Sequence, residues 1–194
     1  MSHIAELDAK FLAALGEIDA AAAERVHEAG CARCAGALDR ANYPRKPRGE
    51  LGEAAEQYEW RDSFCCRRDG CRKRATPPSL RFFGRKVYIA VVVIVASAAA
   101  RTSPITGRGA PRKVHGVPVR TVLRWLAWWQ TAFALSAFWS EAKGFFAGPV
   151  EVAMLPASLL ACFGGSRTEA LERLLRFTAP ITTTSVKTRI AMVA

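Results

Sequence analysis

Two stretches decide the reading of this chain: Cys31-Ala32-Arg33-Cys34 and Phe64-Cys65-Cys66-Arg67-Arg68-Asp69-Gly70-Cys71-Arg72-Lys73-Arg74. A gap of two residues inside a cysteine pair lets two thiolates from one tight turn reach the same tetrahedral ion. The wider gap between Cys66 and Cys71 holds Asp69-Gly70, a turn-forming pair that brings the two cysteines back together. Neighbouring residues of a strand point to opposite faces, so only one of Cys65 and Cys66 is expected to bind. Cys66 makes the tighter loop. Cys31, Cys34, Cys66 and Cys71 are therefore the predicted ligands of one structural zinc. Plain burial of the cysteines is the competing reading. Against it, the segment between the pairs is rich in Pro, Gly and charge and has little with which to build a core unaided.

Outward from the cysteines, the composition describes a globular protein. The chain has 194 residues, 51% apolar and 23% charged, with a net charge of +11 and a pI near 9.9. That balance predicts attraction to polyanions, whether nucleic acid or an anionic membrane. Thirteen of the seventeen acidic residues lie between Glu6 and Asp69, whereas Gly70 to Ser140 contains twelve Lys and Arg and no acid. Solvated faces usually mix both signs, so the basic middle reads as a binding surface. The first residues lack the basic start and apolar run of a secretory signal, which favours a reducing, cytoplasmic compartment. Val87 to Ala100 is too short an apolar run to span a bilayer and reads as a buried helix.

Four regions follow: an amphipathic helix or helix pair over 1–30, a zinc ribbon over 31–79, a helix-turn-helix over 80–130 and a helical segment over 131–194. In the first, Ile4, Leu7, Phe11, Leu15, Ile18, Ala22 and Val26 share one helical face, with a break expected at Gly16 and Asp19 as the second N-cap. The prolines of Tyr43-Pro44-Arg45-Lys46-Pro47 block helix and predict an extended arm. Tyr58 to Phe64 alternates as a short strand does. A helix is expected from Phe82 through Ala100. Gly116 is read as the tight turn between two helices, with Pro118 opening the second and Val122, Trp125, Leu126 and Trp129 forming its buried stripe. Arg120, Thr121 and Arg124 then face outward, as on a helix that enters the major groove. Helices are also expected at 136–146 and 156–163. A last helix begins with the capping box Ser166-Arg167-Thr168-Glu169.

Arg72, Lys73 and Arg74, with Arg45, Lys46 and Arg48 from the arm, are suited to phosphates, and Arg120 and Arg124 to guanine edges. Arg112 and Lys113 are also expected to bind DNA. Trp125, Trp128, Trp129 and Trp139 read as packing residues, and Cys162 as part of an apolar helix. The fold class is thus mainly α with a small β zinc ribbon and a helical domain of helix-turn-helix type. No phosphate-binding Gly loop, nucleophile elbow or zinc-protease motif occurs, and only Glu141, Glu151, Glu169 and Glu172 follow Asp69 as acids. Four thiolates would close the metal's coordination sphere, so no catalytic residues and no small-molecule substrate are expected.

The order of Cys31-Ala-Arg-Cys34, Phe64 to Thr76, Phe82-Phe83 and Gly116-Val-Pro-Val-Arg-Thr-Val-Leu-Arg-Trp125 resembles the N-terminal region of bacterial insertion-sequence transposases. The resemblance covers roughly residues 31–130. It implies zinc at the four cysteines and a DNA-reading helix carrying Arg120, Thr121 and Arg124. The chain departs from that pattern in its wider second cysteine pair, and no catalytic domain follows. The expectation is a double-stranded DNA-binding protein of a mobile element, nucleoid-associated, with a separate transposase or recombinase chain as possible partner. A transcription regulator of the same architecture, or a protein-interaction module whose charge is not for DNA, are the alternatives.

Overall fold

Asp19 organises the first part of the chain. The computed structural model describes residues 9–48, 52–83 and 88–183, without the side chains of 52–54. Helix α1, Ala9–Ala29, runs through Gly16 and Asp19 without the expected break. Asp19 is not an N-cap: it sits mid-helix, 1% exposed. Its carboxylate accepts from Leu80 N at 2.7 Å, Arg81 Nε at 2.9 Å and the Ser79 hydroxyl. Arg81 reaches on to Asp62 Oδ2 at 3.0 Å and to the Gln57 carbonyl. A buried carboxylate is tolerable only with such a charge and donor set. At Gly16 a Cβ would lie 2.5 Å from Gln57 Oε1, so the glycine serves close approach of the neighbouring segment.

The described chain divides by its contacts into two units, residues 90–174 in one and the described residues before and after them in the other. In the flanking unit, β1 (Leu38–Arg40), β4 (Phe64–Cys66) and β5 (Arg74–Ala75) form an antiparallel sheet in the order β1-β4-β5. Leu38 faces Cys66 and Arg40 faces Phe64 across the first pair. A second ribbon pairs β2, Tyr43–Pro44, with β3, Trp60–Arg61. The alternating stretch from Tyr58 to Phe64 is thus split: a 3₁₀ helix, Gly52–Tyr58, ends where β3 is about to begin. Tyr58, fully buried, donates to the Leu12 carbonyl at 3.3 Å and packs edge-on against Phe82.

The other unit is helical. Helix α2 spans Ala90–Thr102 rather than starting at Phe82, which instead bridges Ile89 in extended conformation. Its β-branched run Val91 to Val95 is helical and buried, tertiary packing overriding strand propensity. The turn at Gly116 does not join two helices. His115 and Gly116, at φ of 48° and 73°, close a two-residue hairpin between β6 (Lys113–Val114) and β7 (Val117–Pro118). Positive φ at both loop positions is the geometry that matches strand twist, and Val114 and Val117 bury the hairpin's inner face. Helix α3, Val119–Trp128, follows directly. Residues 103–118 therefore separate α2 from α3, where a helix-turn-helix would have a few-residue turn.

Trp125, Trp129, Phe133 and Trp139 are buried as expected, with Trp129 and Phe133 ring centroids 4.8 Å apart; Trp128 is half-buried. Helix α4, Ala137–Ala142, is capped by the Ser136 hydroxyl, and α5 covers Ala157–Ala161. The capping box at α6, Arg167–Thr178, forms both ways: Glu169 N donates to Ser166 Oγ at 3.3 Å and Ser166 N to Glu169 Oε2 at 2.7 Å. The described part of the fold is mainly α with small antiparallel sheets.

Candidate metal centre

Each cysteine pair has its own local device. Cys31 follows the C-terminus of α1, where Gly30 at φ 73° ends the helix and turns the chain. The Cys31 carbonyl then accepts from Cys34 N at 3.2 Å and Ala35 N at 2.8 Å. Ala35 takes up φ 52°, and Cys31 N closes the loop on the Gly36 carbonyl at 2.9 Å. The second loop repeats this turn two residues out of step. There the Arg68 carbonyl accepts from Cys71 N at 3.1 Å and Arg72 N at 3.3 Å, and Arg72 takes φ 42°. Arg68 thus stands where Cys31 stands in the first turn, and the fourth ligand, Cys66, comes from strand β4. Cys66 is tied into the sheet by its N–H to the Lys73 carbonyl at 2.9 Å. This explains the wider gap in the sequence: turn and strand each supply one sulfur.

The four sulfurs of Cys31, Cys34, Cys66 and Cys71 lie within 4.8 Å of one another. Cys34 and Cys66 are 3.5 Å apart, and Cys31 and Cys71 3.8 Å. A disulfide would bring sulfurs to about 2.05 Å. A tetrahedral site with metal–sulfur bonds of about 2.3 Å has sulfur–sulfur edges of about 3.8 Å, which these separations approach. Gly36 keeps room for the cluster: a Cβ there would lie 3.3 Å from both Cys34 Sγ and Cys66 Sγ. The set is close enough to hold one metal ion.

Cys31 and Cys66 are buried, Cys34 and Cys71 half-buried. The backbone N–H groups of Arg33 and Cys34 aim at the Cys31 sulfur and bring its pKa down to about 7. Burial pushes the Cys66 thiol up to about 12, so in the absence of a cation this sulfur keeps its proton. A bound cation reverses that preference by stabilising the thiolate.

Comparison with protein-family models, curated proteins and solved structures finds no match for this chain.

The remaining predicted residues fall on both units. Cys65 lies outside the cluster, its sulfur 3.5 Å from the Arg72 carbonyl, so the choice of Cys66 agrees with the geometry. His27 is not among the clustered ligands; its ring stacks on Phe64 at 5.2 Å and its Nε2 lies 2.9 Å from the Leu38 carbonyl. Arg72 and Lys73 are exposed beside the second turn. Arg74, also exposed, is held to the sheet by Ser63 Oγ at 3.3 Å and lies over the Tyr43 ring. In the helical unit Arg112, Lys113, Arg120 and Arg124 are exposed and Thr121 half-buried. Arg124 Nη2 reaches Thr121 Oγ1 at 3.3 Å, while Val122, Trp125 and Leu126 bury the opposite side of α3. Cys162 is exposed rather than core, its thiol directed at the Ser158 carbonyl at 3.3 Å. No helix among the described residues is long and apolar enough to cross a membrane.

The sequence pattern did not expose Asp19, Ser79 and Arg81 as the group that ties α1 to the chain leading out of the metal site. An acid on an otherwise apolar helical stripe was the available signal.

Proposed function

We propose that the chain is a zinc-containing protein that binds double-stranded DNA, without a catalytic core of its own. The observation that carries this reading is a cluster of four sulfurs within 4.8 Å of one another, with exposed cations in both of its loops. Arg33 lies in the first loop, and Arg67, Arg68, Arg72, Lys73 and Arg74 in and after the second, all exposed. A divalent ion with four thiolates carries two negative charges, Asp69 adds one, and Asp39, paired with Arg67 at 2.6 Å, adds another. The six cations outnumber them, so charge balance of the centre does not use them up.

Zinc is favoured over other ions by an all-thiolate set with tetrahedral spacing. It would fix the two turns on the small sheet in the manner of a zinc ribbon and hold Arg72 and Lys73 toward phosphates. On the helical unit, α3 would serve as reader, mounted by a hairpin instead of by a preceding helix. Arg120 and Arg124 would point into the major groove. Of the likeness to insertion-sequence transposases only the two cysteine pairs and the basic stretch after them remain, without the helix-turn-helix. On that basis the role proposed is at a mobile element, cytoplasmic and nucleoid-associated, beside a separate recombinase chain.

A salt titration tests the reading. Binding to duplex DNA should weaken steeply with salt, and Arg72→Ala with Lys73→Ala should reduce the slope of log affinity on log salt by about 2. Arg120→Ala with Arg124→Ala should lower affinity by about 1–3 kcal/mol per lost base contact and relax sequence preference. Absent or salt-independent binding by folded, metal-loaded protein refutes it. A second reading, a protein-interaction module, draws on exposed Trp60 and Phe145, 52% and 57% accessible. Binding to a protein that survives both arginine substitutions would favour it.

A further inference from the structure

The four sulfurs are not equivalent. Two pairs, 3.5 and 3.8 Å apart, each join the first turn to the second half of the site, and each contains one buried and one half-buried member: Cys34 with Cys66 of strand β4, Cys31 with Cys71 of the second turn. With all four sulfurs held as thiolates by an ion, access decides which is oxidised first, so attack from solvent begins at half-buried Cys34 or Cys71 and the buried partner resolves it. Between Cys34 and Cys66 no side chain intervenes, because Gly36 is the residue beneath both sulfurs. These two also make the shorter approach, 3.5 Å. Cys65, though adjacent in sequence to Cys66, is turned toward the Arg72 carbonyl and is not part of the cluster.

We propose that the centre is a peroxide-responsive switch in which Cys34 is the oxidised thiolate and Cys66 the resolving one, so that a disulfide between the first turn and strand β4 replaces the ion. The inference rests on the metal reading given above. The Cys34 thiolate attacks one oxygen of a hydroperoxide, breaking the O–O bond, to give a sulfenic acid and an alkoxide or hydroxide. The Cys66 sulfur then attacks the Cys34 sulfur and expels hydroxide. With two protons from solvent, two thiolates and one hydroperoxide become one disulfide, one water and one alcohol or second water. Two electrons pass from the sulfurs to the peroxide. Having lost two of four ligands, the site no longer retains its ion. The new bond still clamps the first turn to strand β4, so the oxidised unit keeps its fold where a chelated, reduced one would not.

The test is hydrogen peroxide titrated into the metal-loaded full chain, with released ion read by a chromophoric chelator and disulfides mapped after blocking free thiols. The expected result is loss of two thiols and one ion per equivalent consumed. A Cys34–Cys66 cross-linked peptide should form first, and a thiol reductant with added zinc should restore the starting state. Cys65→Ser should leave rate and product unchanged, and needs no ligand to be altered. A first disulfide that contains Cys65, one within a single turn such as Cys31–Cys34, or retention of the ion would overturn the proposal. Protein that purifies without an ion under non-chelating conditions would instead refute the metal reading itself.

Discussion

The helical unit and the cysteine-bearing sheet bury their interiors by different means, although the flanking unit also has an apolar core with Phe11, Leu12, Leu15, Tyr58 and Phe82. In the helical unit, buried side chains are large and apolar: Val91 to Val95, Trp125, Trp129, Phe133, Trp139, Leu155 and Leu159. Around the cysteines the buried cluster is Ala23, Cys31, Leu38, Phe64 and Cys66, and two of those five are candidate ligands. The strands there are two or three residues long. Apolar area alone gives such a small cluster little stability, and short two- or three-stranded pieces are marginal in water. The helical unit is therefore held by dispersion and burial, and the cysteine-bearing sheet by coordination of an ion. Loss of one element in the first leaves neighbours to compensate; loss of one in the second removes most of what orders the segment.

Chelation breaks the comparison most sharply. Stripping the ion should melt β1, β4 and β5 while α2 and α3 persist. In amide exchange, protection should be lost at Cys66 and Arg67 but retained over 91–96 and 122–129. Equal loss in both units would refute separate bases of stability.

Next in size come two matched substitutions. Asp19→Asn removes one of the two carboxylates that pair with buried Arg81 and leaves Asp62, a change of about 3 kcal/mol in the flanking unit. Trp129→Ala opens a cavity of similar cost, about 3–5 kcal/mol, in the helical one. Denaturant unfolding of each variant should show the loss in its own unit only, with metal content unaltered by Trp129→Ala.

Gly36→Ala is smaller. The added methyl would meet both Cys34 and Cys66 sulfurs at 3.3 Å, so they must shift by tenths of an ångström. Overpacking of this kind costs about 1–3 kcal/mol, read as weaker zinc retention against a competing chelator. Unchanged retention would mean that the sulfurs are not held over Gly36.

The mildest effect concerns pH. Donation from Ser166 holds the Glu169 carboxyl below its ordinary value. A depressed carboxylate stabilises the fold above the unfolded-state pKa and loses that contribution as pH falls through the folded-state value. Acidification should fray the start of α6 in wild type, and Glu169→Gln should remove this pH dependence without touching the cysteine centre.

How much of this was legible in the sequence depends on the range of the contacts. The first cysteine pair, the capping box at Ser166 and the buried tryptophan stripe are set by residues three or four apart, and each was readable. That only one of Cys65 and Cys66 binds followed from strand alternation, and the choice of Cys66 from its tighter loop to Cys71. Asp19 was misread because the groups that satisfy it, Ser79, Leu80 and Arg81, lie about sixty residues away. Without them an acid after Gly16 looks like a cap. The hairpin at His115 was missed because a histidine at positive φ carries no strong turn signal, whereas Gly116 beside Pro118 suits several turns. Helix α2 starts late because Phe82 pairs with Ile89, a contact that periodicity does not encode.

The central claim is that one ion joins four sulfurs drawn from two turns and a strand. X-ray absorption at the metal edge, on full-length protein purified without chelator, addresses it directly. The account predicts one zinc per chain with four sulfur neighbours at about 2.3 Å. Nitrogen or oxygen in the first coordination sphere, or reduced protein that folds its cysteine-bearing sheet with no bound metal, would contradict it.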